Sequence, residues 1–351
     1  MHINTIRKAW YFACWSEELK PDQPREVKLL GNSIAVYRAS SGAVHAIGNR
    51  CPHRFAPLHR GAVQGNTLEC GYHGLRFGAD GKCVFSPHHN GAVPGKIGVP
   101  AYAAAERHGA IWLWASAPEM ADLSRIPDLS EIERCPHTAV GRIPTMDVRA
   151  SYELLIDNLF DPTHADWVHF GVLGDGLISG GRASIRQEGD MIEAEWFYEG
   201  QIIVPMLRSM AADGQSWDSW VSARWYAPSV VRFAGGIMPS GSSPEDGVLT
   251  AAYHIMVPVD DLECTYAVRT IRNNDLDNVS LTNMMVESST YAFNHQDKPM
   301  IEAQQAMMNG QDFWGLKPAL FPSDGPAVLV RRAIEGLAAA ERGPGLASVR
   351  A

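Results

Sequence analysis

Two short motifs, Cys51-Pro52-His53 and Cys70-Gly71-Tyr72-His73, constrain the fold of this chain more than any other feature of its sequence. Residues 54–69 separate them. Each motif places one thiol and one imidazole on a tight loop, close enough to share a metal centre. The chain must therefore fold so that the two loops lie side by side around a centre with two cysteine and two histidine ligands.

The order of these ligands distinguishes two kinds of centre. Zinc also accepts two cysteines and two histidines, but zinc motifs usually pair Cys with Cys on one loop and His with His on the other. A Rieske [2Fe–2S] cluster needs two cysteines on one iron and two histidines on the other, so each loop supplies one ligand to each iron. The pattern favours this cluster, held by Cys51, His53, Cys70 and His73, with zinc as the alternative. A further half-motif, Cys135-Pro136-His137, has no companion and cannot hold a cluster alone.

The first third of the chain is typical of a small all-β domain. Short segments of strand composition alternate with glycine-containing turns, which predicts two hairpins and a closing strand. The segments are 33–40 with 44–48, 75–77 with 82–85, and 110–115.

Charge changes sign along the chain. Residues 1–118 hold 13 Lys and Arg against 7 Asp and Glu, a net of +6, whereas residues 119–351 hold 17 against 32, a net of −15. This asymmetry predicts two domains, 1–118 and 119–351. The overall charge of −9 argues against nucleic-acid binding, and no apolar run approaches the ~20 residues of a membrane helix. Six sparse cysteines without a signal peptide predict a reducing compartment, the cytoplasm.

The second domain mixes helical and strand patterns. We expect a helix over 152–160 after a polar connection, and a helical region over 284–308 that Pro299 interrupts. A last helix is expected over 326–342. Strand patterns occupy 191–201, 230–238 and 250–257. These patterns predict an α+β domain with helices packed on one antiparallel sheet.

A second concentration of metal-ligand residues follows the first of these helices. His164 and His169 are five residues apart, which on a regular helix would separate them by about 140°. Pro162 suits the first position of a new turn with Asp161 as N-cap, so the backbone is irregular here and the two imidazoles can converge. Non-haem iron(II) sites add one carboxylate to two histidines. Several downstream acids could supply it, among them Asp297 beside the interruption of the helical region.

The whole chain resembles the Rieske non-haem iron aromatic oxygenases, and within them the O-demethylase branch. The similarity rests on the Rieske motifs followed by D-x-x-H-x-x-x-x-H, and on four local stretches. These stretches are Arg7-Lys8-Ala9-Trp10-Tyr11, the run Cys-Pro-His-Arg-Phe-Ala-Pro-Leu from Cys51, Tyr72-His73-Gly74-Leu75, and Asp157-Asn158-Leu159. It implies an N-terminal all-β Rieske domain, a helix-grip (START-like) α+β catalytic domain and a head-to-tail homotrimer.

The resemblance also implies roles for single residues. It makes Asp297 the third ligand of the mononuclear iron, with His164 and His169. It places Asp161 and Asn158 among the catalytic residues. In the family the aspartate at the position of Asp161 contacts a cluster-ligating histidine of the adjacent subunit, which matches His73. His254 matches a substrate-contacting position, and Tyr291 and Phe293 take the helix face that carries a substrate-stacking tryptophan in the branch.

The function implied is that of a terminal oxygenase component, which uses O2 to O-demethylate or hydroxylate a methoxylated aromatic acid. Because the chain has no nucleotide-binding G-x-G-x-x-G, electrons from NAD(P)H must arrive through a separate reductase, with or without a ferredoxin. Monooxygenation of a ring or side-chain position of another aromatic compound is the alternative within this class. An electron carrier or a zinc-stabilised binding module are alternatives outside it, and a carrier has no use for the second iron.

Overall fold

A computed structural model describes residues 4–88, 91, 93, 96–133, 138–211 and 214–342 of the chain. The half-motif Cys135-Pro136-His137 lies outside the described residues. Two compact units are present. We call the first, with residues 4–128, 257–260 and 338–342, the N-terminal unit, and the second, with most of 129–337, the C-terminal unit. The predicted domain boundary near residue 118 stays a prediction.

The N-terminal unit is built from three small sheets, with strand orders β1-β11-β10, β2-β3-β4-β9 and β5-β6-β7-β8. Its strands are β1 (Trp10–Trp15), β2 (Arg25–Leu29), β3 (Asn32–Arg38), β4 (Val44–Gly48), β5 (Ala62–Gln64), β6 (Thr67–Glu69), β7 (Arg76–Phe77), β8 (Cys83–Phe85), β9 (Ala101–Tyr102), β10 (Ala104–Arg107) and β11 (Ala110–Trp114). Both predicted hairpins are confirmed, because β3 pairs with β4 and β7 with β8 in antiparallel registers. The predicted closing strand is β11, whose side chains are all buried.

The C-terminal unit is one seven-stranded sheet, in the order β12-β18-β17-β16-β15-β14-β13, with helices against it. Its strands are β12 (Ala139–Val148), β13 (Ala183–Glu188), β14 (Met191–Tyr198), β15 (Trp217–Tyr226), β16 (Val230–Pro239), β17 (Val248–Pro258) and β18 (Cys264–Arg272). Its helices are α1 (Tyr152–Leu159), α2 (Ala165–Val168), α3 (Val279–Ala292), α4 (Lys298–Met308) and α5 (Gly325–Arg342). The helix predicted over 152–160 corresponds to α1, and the one over 326–342 to α5.

The region predicted as an interrupted helix contains two helices joined by one π-helical turn. The turn is Phe293–Asp297, and Pro299 follows it as the second residue of α4. The helical path is therefore widened before the proline and continues through it. Helix α3 packs closely on β12, where Gly141 leaves no room for a side chain. A Cβ there would lie 2.6 Å from Val286 and 2.5 Å from the hydroxyl of Thr270.

Among the described residues, no helix has both the length and the apolar composition needed to cross a membrane.

Candidate metal centres and their surroundings

The two loops of the first motif pair are closed by the same backbone hydrogen bonds. The amide of Cys51 donates to the carbonyl of Ala56, and the carbonyl of Cys51 accepts from the amide of Phe55, both at 2.9 Å. Cys70 repeats this pattern with Leu75 at 2.8 Å and Gly74 at 2.9 Å. The residue four positions after each cysteine is left-handed, with φ of 62° at Phe55 and 69° at Gly74. The two loops are therefore equivalent in backbone geometry as well as in sequence.

Burial separates the two kinds of side chain on these loops. Cys51 and Cys70 belong to the hydrophobic core of the N-terminal unit, whereas His53 is exposed and His73 is half-buried. The two imidazole rings lie 4.5 Å apart between centroids. An inner pair of thiolates and an outer pair of imidazoles is the arrangement that a Rieske [2Fe–2S] cluster requires, so the residues present fit that cluster.

A second group of ligand atoms meets in the C-terminal unit. His164, His169 and Asp297 each present one such atom within 4.8 Å of the others. Asp297 Oδ1 lies 3.0 Å from His169 Nε2 and 3.6 Å from His164 Nε2. We call these three residues the triad. Two imidazoles and one carboxylate are the donor set of non-haem iron(II) sites that leave positions open for O2.

The other nitrogen of each triad histidine is hydrogen-bonded to a carbonyl oxygen. His164 Nδ1 lies 2.5 Å from the backbone carbonyl of Asp161, and His169 Nδ1 lies 2.8 Å from Gln296 Oε1. Because a carbonyl oxygen can only accept, each Nδ1 carries the proton and each Nε2 keeps its lone pair for a metal. The triad is thereby set in the tautomers that metal binding requires.

The backbone around the histidines is irregular, as the sequence predicts. Asp161 caps a short 3₁₀ turn, Pro162–His164, by accepting a hydrogen bond from the amide of Thr163 at 3.1 Å. The four-residue helix α2 follows and ends at His169. Asp161 stands three residues before His164, a spacing that predicts contact between its carboxylate and the outer nitrogen of that imidazole. The carboxylate is instead used in this cap and in a bond to the Thr163 hydroxyl. The backbone carbonyl of Asp161 takes that role instead.

The loop that follows His169 is fastened by one buried carboxylate. Asp166 accepts hydrogen bonds from the amides of Gly176 at 2.9 Å and Ser179 at 2.8 Å, and from the Ser179 hydroxyl at 2.6 Å. These bonds hold the pKa of Asp166 below its usual range although burial alone would raise it. The carboxylate therefore stays ionised and fixes the loop next to the triad.

The π turn places Asp297 at the end of a widened helical segment, with its side chain buried. Turns of this kind are frequent at functional sites because they redirect a side chain out of the α-helical spacing. Asn158, on α1, donates from its amide to Asp297 Oδ1 at 3.4 Å. The structure thus brings Asn158 to the triad, where it contacts the carboxylate.

An ion cluster ties α1, which carries Asn158, to the last helix. Arg331 on α5 contacts Glu153 at 2.8 Å and Asp157 at 2.5 Å, and its guanidinium lies 4.0 Å from the ring centroid of Phe313. Burial raises the pKa of Asp157 to about 6, and Arg331 opposes that rise. The cluster is therefore held together by a single buried cation.

Replacing Arg331 with Met should destabilise the C-terminal unit strongly. Removing one partner of a buried ion cluster leaves uncompensated charge, which typically costs about 3–5 kcal/mol. Arg332→Met is the matched control, because Arg332 is the exposed neighbour on the same helix. Urea denaturation followed by tryptophan fluorescence measures the difference, and equal midpoints for the two variants would contradict this account.

A cavity of about 300 Å³ opens next to the triad within the C-terminal unit. Asn158, Asp161, His164 and Arg331 are among the polar residues that line it. Apolar side chains make up much of the remaining lining, including Leu154, Val168, Met300, Ile301 and Phe313.

His254 lies on β17 in a box of aromatic rings. Its Nδ1 is hydrogen-bonded to the hydroxyl of Tyr266, whose ring stacks on it at 5.8 Å. The rings of Phe293 and Phe233 meet the imidazole edge-on at 5.5 and 6.3 Å. Burial lowers the pKa of His254 to about 3, so the imidazole is uncharged at neutral pH. A small cavity is lined both by two rings of this box, Phe293 and Tyr266, and by the triad ligand Asp297.

Tyr291 does not reach this box. Its side chain is 60% exposed and packs on His295, with 4.8 Å between the ring centroids. Two residues apart on a helix point about 200° apart, so Tyr291 and Phe293 cannot share a helix face. Of the two aromatic residues expected near the substrate, the structure brings only Phe293 to the site.

Families of known proteins match both units. Residues 9–103 match the Rieske [2Fe-2S] domain, and residues 148–340 match the vanillate O-demethylase oxygenase C-terminal domain. The chain belongs to the Rieske non-haem iron oxygenases, in the O-demethylase branch. The predicted fold class, an all-β Rieske domain followed by an α+β catalytic domain, is confirmed.

Relatives of this oxygenase align over nearly its full length. It is 33% identical to the oxygenase component of chloroacetanilide N-alkylformylase from Rhizorhabdus wittichii, with 99% of each chain covered. It is 32% identical to the oxygenase component of dicamba O-demethylase from Stenotrophomonas maltophilia, over 95% of this chain and 97% of that one. The crystal structure of dicamba monooxygenase bound to dicamba superposes with a TM-score of 0.88 at 30% identity, covering 96% and 99% of the two chains.

Several residues that shape the oxygenase site carry no signal in its sequence. Arg331 lies 174 residues from Asp157, and no local pattern links them. Tyr266 is one aromatic residue among many on the strands. Gln296 is different, because it directly precedes Asp297 and stands in the same interrupted helical segment. An amide next to a ligand is a reasonable candidate for orienting another ligand.

Proposed function

We propose that this oxygenase holds a mononuclear Fe(II) on His164, His169 and Asp297 and a [2Fe–2S] cluster on Cys51, His53, Cys70 and His73. The observation that carries the first site is the pair of carbonyl oxygens bonded to the two Nδ1 atoms, which leaves both Nε2 atoms facing one carboxylate. The second site rests on two equivalent loops with buried thiols and outer imidazoles.

When bound, the mononuclear iron supplies O2 activation with electrons that pass through the cluster. The protein residues hold and orient the reactants. Asn158 donates to Asp297 and keeps its carboxylate turned to the histidines, and Asp166 fixes the adjoining loop. The aromatic box around His254 excludes water next to the triad. One imidazole nitrogen of His254 is left for a polar group of the substrate, because Tyr266 occupies the other.

We infer that the reaction is removal of an alkyl group from a heteroatom on an aromatic ring. For a methyl ether, the ether, O2, two electrons and two protons give a phenol, formaldehyde and water. A methyl C–H bond becomes C–OH, and the C–O bond of the resulting hemiacetal then breaks. The relatives named for O-demethylation and N-alkylformylase activity support this class. Hydroxylation at a ring or side-chain position of another aromatic compound is the second candidate.

The two electrons are proposed to come from NAD(P)H through a separate reductase, with or without a ferredoxin. Support comes from the relatives, whose names describe them as oxygenase components. Among the described residues, the five cysteines are free and buried, which suits a reducing compartment such as the cytoplasm.

We propose a head-to-tail homotrimer in which the cluster loops of one chain face the triad of the next. The loops carry the exposed aromatic side chains Phe55 and Tyr72, and Trp167 is exposed next to the triad of the C-terminal unit. Residues 1–118 are proposed as the basic Rieske domain and 119–351 as the acidic catalytic domain, so opposite charges would meet. Analytical ultracentrifugation at several protein concentrations tests this, and a monomer throughout would contradict it.

The proposed reaction is tested with the purified holoprotein, an NADH-dependent reductase and ferredoxin, and a panel of aromatic methyl ethers and N-alkyl anilides. A dealkylated product by mass spectrometry is expected, with an equal amount of formaldehyde from each methyl ether and of the corresponding aldehyde from each N-alkyl anilide. NADH oxidation without an oxygenated product from any member would contradict the proposal.

His254→Phe should raise the KM for the true substrate about two- to tenfold and lower the fraction of NADH coupled to product, while both metals stay bound. Loss of one hydrogen bond to substrate accounts for this size, since a typical bond contributes about 0.5–1.5 kcal/mol. Tyr266→Phe is the matched control, because it removes the same internal bond but keeps the imidazole. Unchanged kinetics in His254→Phe would exclude a role in substrate binding.

A further inference from the structure

Charge is segregated between the two faces of the seven-stranded sheet. Residues that are Cα partners in the antiparallel pairs share a face, so the registers assign each side chain to one side. Arg186, Glu193, Arg224 and Arg232 lie on one face. We call the opposite face, which carries His254 and Tyr266, the ligand face.

Across the strands as the structure describes them, the ligand face carries one side chain that is charged at neutral pH, Arg272. Arg272 is buried and bound to its own loop. It donates to the backbone carbonyls of Asn274, Asp275 and Asn278 and to the hydroxyl of Thr282, the last two at 2.9 Å. Its guanidinium therefore holds the loop that leads into α3 and is not available to a ligand.

On the helical side of the small cavity, the described lining residues include one cation, Lys298, and one anion, Asp297, so their charges balance. Lys298 lines that cavity but lies 4.0 Å from Glu302, which also pairs with Arg149 at 2.8 Å. Asp297 adds a negative charge on the same side.

The larger cavity next to the triad is acidic. Asp157, Asp161 and Asp324 line it, and its cation Arg331 is already bonded to Glu153 and Asp157. An anion that approached the triad from this side would meet carboxylates and a guanidinium that is fully used. Apart from the charge of a bound metal, the side chains that line the two cavities therefore carry no net positive charge that would stabilise a negatively charged ligand.

A polar group is nevertheless provided on the ligand face. His254 has one ring nitrogen that is not bonded to Tyr266, and aromatic rings surround it. One neutral hydrogen bond inside an aromatic box suits a carbonyl, amide or ether oxygen. It does not compensate the desolvation of a carboxylate, which needs several donors or a cation.

Resting on the proposed function, we infer that the substrate of this oxygenase is an uncharged aromatic compound, an aryl ether or N-alkyl anilide, and not an aromatic carboxylate. Family membership leaves this open, because the family is named for vanillate, an anion, whereas one relative is named for a chloroacetanilide. The charge distribution of the two cavities favours an uncharged substrate over an aromatic carboxylate.

Binding of matched ligands to the holoprotein without O2 tests the inference. The probes are methoxybenzamide, methoxybenzoate and methoxybenzylamine, each as its ortho, meta and para isomers, so that within a set the ring and the methoxy position stay the same while the second substituent is neutral, negative or positive. Equilibrium dialysis should show at least one amide binding tenfold or more tightly than the acid and the amine of its set. An acid or amine that binds as tightly as its amide, or amides that do not bind, would overturn it.

A charge introduced on the ligand face should invert the preference. Phe233→Lys places an ammonium next to His254 and should raise the affinity for the acid relative to the amide at least tenfold. Phe197→Lys is the matched control, because Phe197 is exposed on the opposite face of the same sheet. An unchanged ratio in a folded Phe233→Lys protein counts against the ligand face as the binding surface, and the wild-type binding series decides the inference even if this variant does not fold.

Formaldehyde release keeps this test separate from that of the proposed function. A holoprotein that demethylates the acids overturns the neutral class and leaves the oxygenase activity intact. One that binds amides but releases no product with a complete electron supply supports the binding preference and counts against the reaction.

Discussion

His164→Ala should abolish turnover and remove the mononuclear iron, while the Rieske absorption and EPR signals stay at their wild-type intensity. The reason is that the triad loses one of three ligands, whereas the four cluster ligands belong to the other unit. Iron analysis should fall from three to two irons per chain, since the cluster contributes two and the triad one.

His295→Ala is the matched control for this prediction. His295 lies in the same π turn as Asp297, but its side chain is exposed and packs on Tyr291. It should keep three irons and most of the activity. If His164→Ala lost the cluster signal while remaining folded, the assignment of two independent centres would be wrong.

Asp161→Asn should keep the fold and both metals and still lose nearly all turnover. Asn caps a helix as well as Asp does, so the turn that begins at Pro162 is preserved. The bond to His164 Nδ1 also persists, because it comes from the backbone carbonyl. What changes is the carboxylate. Its Oδ1 is bonded to Thr163, and Oδ2 accepts no hydrogen bond from the described residues, so Oδ2 is the oxygen that would meet the cluster histidine of the neighbouring chain in the proposed trimer.

Single turnover of the reduced variant with substrate and O2 measures this effect through the optical signal of the cluster. Thr163→Val is the control, because it removes the hydroxyl bonded to Asp161 but keeps the negative charge. Cluster reoxidation and product formation at wild-type rates in Asp161→Asn would reduce Asp161 to a capping residue.

Local chemistry made much of the N-terminal unit predictable from sequence. The ligand order, the glycine-containing turns and the alternating strands act over a few residues each, and both hairpins formed where they were expected. The turn around Pro162 was predictable for the same reason. The third triad ligand was different. Asp297 is more than a hundred residues from His169, so spacing left it one candidate among several and only the family resemblance selected it.

Tertiary packing explains what the sequence did not reveal. The polar connection predicted before the helix at 152–160 includes part of strand β12. The outward-facing residues of β12 are polar, whereas its alternate residues pack under α3. The edge strand β13 is mostly exposed and carries no apolar pattern. The spacing of Asp161 and His164 predicts a contact through the Asp161 carboxylate. The structure makes this contact through the backbone carbonyl of Asp161, which a pattern of side chains does not reveal.

That difference between backbone and side chain has an evolutionary consequence. No substitution can delete the carbonyl that orients His164, since every amino acid supplies one. His169 depends on Gln296 Oε1, which every change of residue type at that position except Gln to Glu removes or relocates. Natural substitutions at position 296 can therefore change how firmly His169 is oriented without changing the orientation of His164. Position 296 is the place in this chain where metal retention can drift or be selected while the ligands themselves stay the same.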